Sequence, residues 1–188
     1  MNDPDGIEMR VLVTAASRHH GTLEIAEAIA SGLSDRGIAS VAVPVEQVTD
    51  LHGYGAVVLG SGVYTGRWLG EARRFAQIYA SELCAMPVWL FSSGPVGPVD
   101  HPVPPGTPAD VPVLMRLTQA IGHRTFGGRL EMRSLHFSER AVARMIHAPE
   151  GDSRDWDAID RWAGEIADEL LGGHPEADAP AAVHAACA

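Results

Sequence analysis

The chain has 188 residues, 46% of them hydrophobic and 20% charged, with a formal net charge of −10. That composition suits one globular domain around a single core, and its acidity argues against nucleic acid as a partner, because phosphate backbones need a basic footprint. No apolar run approaches the length needed to cross a bilayer, and the acidic, polar start MNDPDGIEMR does not resemble a signal peptide, so a cytoplasmic protein that is not integral to a membrane is expected.

MRVLVT (Met9 to Thr14) has the apolar, β-branched character of a buried parallel strand. From Thr22 to about Arg36, Leu23, Ile25, Ala26, Ile29, Ala30 and Leu33 recur on one helical face, and Gly37 provides a stop. SVAVPV (Ser40 to Val45) reads as a second strand whose proline points to an edge. A third strand covers Ala56 to Gly60, ending in Ser61 and Gly62, and a helix follows from about Leu69 to Leu83. PVWLFSS after Met86 is a fourth strand, and residues 94–112 are so rich in Gly and Pro that a long loop is expected. A helix over about Val113 to Ile121, a strand around His123 to Phe126 and a final helix over about Asp155 to Leu171 complete the alternation. One domain over residues 1–171 is therefore expected, with a disordered tail at 172–188.

Alternating strands and helices pair in parallel through right-handed crossovers, giving an α/β, doubly wound sheet of five strands. Ligands of such sheets sit beyond the carboxyl ends of the strands. Three segments meet there: SRHHGT after the first strand, SGVYTGRW after the third and SSGPVG after the fourth. In the first, Ser17, Arg18, His19, His20, Gly21 and Thr22 open a helix, where unpaired N–H groups and the helix dipole favour an anion such as phosphate. The simpler alternative is that Ser17 or Thr22 only caps the helix. In the second, Tyr64 and Trp68 offer aromatic faces to a flat ring, Gly62 and Gly66 permit close backbone approach, and Ser61, Val63 and Thr65 complete the loop. Trp68 fits equally well as the first core contact of the next helix. In the third, Ser92, Ser93, Gly94, Pro95, Val96 and Gly97 can present backbone groups to the polar edge of such a ring.

Other phosphate-binding signatures are missing: there is no GxGxxG, no GxxxxGK[ST], and no GxSxG elbow around Gly60 to Gly62. The nine histidines include no helical pair at HExxH spacing and the two cysteines, Cys84 and Cys187, form no CxxC, so neither a metal site nor a structural disulfide is expected. No side chain stands out as a general acid or base, so none is assigned a catalytic role.

The segments ASRHHGTLEIA (Ala16 to Ala26), SGVYTGRWLGEARRF (Ser61 to Phe75), FSSGPVG (Phe91 to Gly97) and RDWDAIDRWAGEIA (Arg154 to Ala167) resemble the flavodoxin-like family. The closer resemblance is to the branch that includes menaquinone-dependent protoporphyrinogen dehydrogenase. That resemblance implies strand order 2-1-3-4-5 and an FMN cofactor, with phosphate in the first loop and isoalloxazine ring between the other two. It also implies electron-transfer or oxidoreductase activity with a quinone or a redox partner protein. A deazaflavin in place of FMN, or a cofactor-free interaction module, are the alternatives. Residues 131–154 correspond to an insertion associated with the quinone side in that branch; here they fit either a lid over a partner or substrate, or a short helix on the sheet edge. Family loops commonly end T-G-x-T, whereas His19, His20, Gly21, Thr22 displace the glycine by one. A left-handed His20 in that slot costs about 1 to 2 kcal/mol.

Overall fold

The first strand, β1 (Val11–Ala16), is buried along its whole length because helices cover both of its faces. In this computed structural model, which describes residues 10–94, 106–130 and 151–172, the elements in chain order begin with β1, α1 (Gly21–Asp35), β2 (Ser40–Pro44) and a single 3₁₀ turn at Val45–Gln47. They continue with β3 (Ala56–Tyr64), β4 (Arg67–Trp68), α2 (Gly70–Ile78), α3 (Ala80–Cys84) and β5 (Val88–Ser93). The remainder is α4 (Val111–Thr118), β6 (Gly122–Phe126), β7 (Arg129–Leu130), β8 (Gly151–Asp152) and α5 (Trp156–Gly172).

Five strands form a parallel sheet in the order β2-β1-β3-β5-β6, the doubly wound arrangement expected from the alternation, and Pro44 does lie on an edge strand. Strand periodicity sorts the core into two layers. Val11, Val13, Ala56, Val58, Trp89 and Phe91 pack on one side against Ile25, Ile29 and Leu33 of α1 and Ile159, Trp162 and Ile166 of α5. Leu12, Val57, Leu59, Val88 and Leu90 pack on the other against Ala72, Phe75, Leu83 and Leu114.

Several expectations are corrected. The third strand runs four residues past Gly60 to Tyr64, because β4 turns back and pairs with it. The expected helix from Leu69 to Leu83 is two helices interrupted at Tyr79, and the helix expected from Val113 starts at Val111 and ends at Thr118, where Gln119 takes a left-handed conformation with φ 53°. β7 and β8 pair as an antiparallel ribbon that the sequence did not signal. Cys187, the second of the two cysteines, lies outside the described residues, and with it the expectation of no disulfide. So do residues 131–150 of the insertion, most of the Gly/Pro-rich loop and residues 173–188 of the expected tail. Among the described residues no helix is long and apolar enough to cross a membrane.

Candidate functional site

Parallel pairing places the carboxyl ends of β1, β3 and β5 at one edge, so the loops that follow them converge. After β1, the chain crosses Ser17 to His20 and enters α1 without a side-chain cap from His20, the residue before the first turn. Ser17 takes over that task from three residues further back, its Oγ accepting the Thr22 N–H at 3.2 Å. His20 holds φ 58° and ψ −16°, the left-handed conformation that the displaced glycine requires. Gly21 N–H bonds the His19 carbonyl at 2.8 Å and Glu24 N–H bonds that of His20 at 2.9 Å, tightening the loop over the helix start.

The second loop is a two-residue hairpin. Thr65 (φ 49°) and Gly66 (φ 75°) both have positive φ, as the turn joining Tyr64 to Arg67 demands. Glycine meets this freely, whereas a β-branched threonine is strained there. Of the three non-glycine residues with positive φ among the described residues, His20 and Thr65 both belong to this edge. The two loops touch through Gly62: a Cβ on it would lie 3.2 Å from the Thr22 hydroxyl and 3.2 Å from the Tyr64 ring. Across that contact the Arg18 guanidinium lies 4.8 Å from the centre of the Tyr64 ring.

Trp68, Ser61 and Ser92 are buried and bond within the protein. Trp68 is 2% exposed and packs in the second core layer, its indole N–H donating to Ser92 Oγ at 2.8 Å. Ser92 Oγ also meets His123 Nε2 at 2.8 Å, and Ser61 Oγ accepts the Leu69 N–H and donates to the Gly62 carbonyl, each at 2.9 Å. Burial pushes the His123 pKa down to about 4, so its ring is neutral at pH 7. Ser92 Oγ accepts the indole proton and shares a second hydrogen bond with His123, whose donor is set by the ring tautomer. These bonds fix the hairpin from below.

Two further anchors come from residues that the sequence reading did not single out. Asp110 Oδ2 accepts the Trp68 N–H at 3.0 Å and its Oδ1 pairs with Arg67 at 3.2 Å, while Ala109 N–H bonds the Gly66 carbonyl at 3.1 Å. At the start of α1, Glu24 pairs with Arg129 at 2.9 Å and with Arg154, whose guanidinium also grips Asp152 at 2.6 Å. Hydrogen bonding to Arg154 holds the Asp152 carboxyl below the usual carboxylate range. Asp110 precedes α4 and Arg154 follows β8, so no local motif ties either one to the loops that it supports.

In the third loop, Ser93 is buried and Gly94, with φ 111°, donates its N–H to the Phe126 carbonyl at 3.0 Å. Pro95, Val96 and Gly97 lie outside the described residues. Ser17, Arg18, His19, His20, Gly21, Thr22, Gly62, Val63, Tyr64, Thr65, Gly66, Ser93 and Gly94 are thus the expected residues whose segments the fold brings to this edge. Among the described residues no three His, Cys, Asp or Glu side chains gather as a metal site.

The sequence model of a flavodoxin domain matches residues 12–157. Solved structures with this fold include a flavodoxin from the domain Archaea, with TM-score 0.56, 16% identity, 87% of this chain covered and 99% of that one. A cysteine-to-serine mutant of flavodoxin from Pseudomonas aeruginosa gives TM-score 0.56 and 15% identity, covering 87% and 100% of the two chains. The Flv1 flavodiiron core from Synechocystis sp. PCC6803 gives TM-score 0.58 at 14% identity over 90% of this chain, which corresponds to 38% of that longer protein. A search of curated proteins finds no match.

Proposed function

Because the chain belongs to the flavodoxin domain family, we propose that it is a flavin-binding redox protein whose cofactor is FMN. One observation carries the reading: Arg18 of the first loop lies 4.8 Å from the ring of Tyr64 in the second, placing a cation suited to phosphate beside an aromatic face suited to a flat ring. When bound, FMN would supply hydride or electron acceptance at its N5 position. In this reading Arg18, Ser17 and Thr22 hold the phosphate, Tyr64 covers the ring, and the backbone at Ser93 and Gly94 faces its polar edge.

Titrating the purified protein with FMN tests the reading by quenching of flavin fluorescence. Binding is expected, with Tyr64→Leu weakening it on the order of tenfold through lost stacking. Unchanged fluorescence would reject FMN. Mass spectrometry of ligand released from native protein then distinguishes a deazaflavin, the second reading, which the displacement of the loop glycine by His20 favours.

For the reaction, we propose electron transfer or flavin-dependent reduction, supported by the fold; the alternative is quinone-coupled dehydrogenation of a porphyrinogen, supported by the resemblance of Ala16 to Ala26, Ser61 to Phe75, Phe91 to Gly97 and Arg154 to Ala167 to that branch. Complementation of a strain lacking protoporphyrinogen oxidase separates them. Growth supports the dehydrogenase, and no growth with an FMN-loaded protein supports electron transfer or reduction.

A further inference from the structure

The side chain of Arg154 is 3% exposed, yet it stands two residues past the end of a short ribbon outside the main sheet. It donates from Nε to Asp152 Oδ1 at 2.8 Å, from Nη2 to Asp152 Oδ2 at 2.6 Å and from Nη1 to the Gly21 carbonyl at 3.3 Å, pairs through Nη1 with Glu24, and stacks 4.4 Å from the centre of the Trp156 ring. Arg129, on β7 of the ribbon, reaches the second Glu24 oxygen at 2.9 Å. The ribbon packs directly on the helix start, since a Cβ on Gly21 would lie 3.7 Å from the Cβ of Arg129.

Glu24 explains why a buried arginine is needed there. It stands in the first turn of α1. A carboxylate in that position suits the dipole of a bare helix, but it repels an anion bound at the same terminus. We propose that Arg154 is a positioning residue for the phosphate end of the site. It draws the Glu24 carboxylate onto the ribbon, cancels its charge, and fixes the Gly21 carbonyl, leaving the N-terminal edge of α1 electrostatically open to a phosphate dianion. This rests on the flavin reading, from which the phosphate at this terminus follows.

A purely mechanical tie would affect phosphorylated and unphosphorylated flavins alike, whereas the charge role acts on phosphate alone. The experiment therefore compares FMN with riboflavin by fluorescence quenching, and inorganic phosphate by the thermal stabilisation that it confers, in wild type, E24Q, R154M and the double variant. R154M is expected to lower the ratio of FMN to riboflavin affinity roughly fivefold, E24Q to raise it about threefold, and the double variant to return it near wild type. Phosphate stabilisation should follow the same order. Equal losses for both flavins in R154M, or an unchanged ratio in E24Q, overturn the assignment. Where R154M does not fold, E24Q decides alone, because it removes only the charge. If wild type binds neither flavin, the flavin reading fails while the order of phosphate stabilisation still decides the role of Arg154. A wild-type protein indifferent to both flavins and to phosphate overturns both.

Discussion

Gly60 shows how tightly the region below the site is built. A Cβ there would lie 2.1 Å from the Phe91 ring, and Phe91 is fully buried among Phe126 and Trp162, whose ring centres lie 6.3 and 6.2 Å from its own. The ring cannot yield without displacing the other two, and the Phe126 carbonyl holds Gly94 of the third loop. Gly60→Ala should therefore cost about 3 kcal/mol in urea unfolding. The smaller side chain of Phe91→Leu, introduced with it, should recover part of that loss. Sequence reading placed Gly60 at the end of a strand but not against Phe91, since the atom that a side chain would meet lies 31 positions away.

At the scale of elements, the β3–β4 hairpin is carried less by its own pairing than by what holds it from outside. Its return strand has only two residues, and Asp110, from the approach to α4, receives the Trp68 N–H and the Arg67 side chain. Asp110→Ala is expected to destabilise the protein by about 1 to 2 kcal/mol, because the Trp68 amide is left without its acceptor. Hydrogen exchange at that amide should accelerate, whereas amides in the centre of β1 should exchange as in wild type at conditions where local opening dominates. A uniform acceleration would assign the loss to the whole fold instead of the hairpin. The helices α1 and α5 are joined differently, by close packing of Gly32 on Ala163 and by a bidentate pair in which Arg36 donates to Asp160 at 2.9 and 3.0 Å.

For the molecule as a whole, His123 links the fold to pH. In the folded state its pKa is pushed down to about 4, against 6.5 for the free side chain. As pH falls through that window the unfolded chain takes up a proton that the folded chain refuses, so stability is lost on acidification and is complete only above about pH 6.5. The ring is partly exposed, so solvent screening reduces the effect to about 1 to 2 kcal/mol. Urea unfolding at pH 7, 5 and 4 should show the decline, and His123→Leu should flatten it over this range. Asp152 acts in a lower window: its depressed pKa gives stability that is present above 3.8 and is lost as pH falls through the folded value. An undiminished decline in His123→Leu would assign the acid sensitivity to other groups.

The sequence by itself determined the alternation of strands and helices, the parallel sheet and the edge where its loops meet. Each follows from local periodicity: apolar runs such as Val11 to Val13 need cover on both faces, and the face of Ile25, Ile29 and Leu33 can supply it. It also marked His20 as the residue that would take a left-handed conformation, because the glycine is one position late. Only the tertiary structure decided which candidates face outward. Trp68 and Tyr64 are both aromatic and four positions apart, yet the hairpin turn buries the first on Ser92 and sets the second against Arg18. Asp110, His123 and Arg154 became visible in the same way, through bonds to residues 31 to 133 positions distant. Periodicity reports the face that a residue presents within its own element; which distant group meets that face is set by how the elements pack.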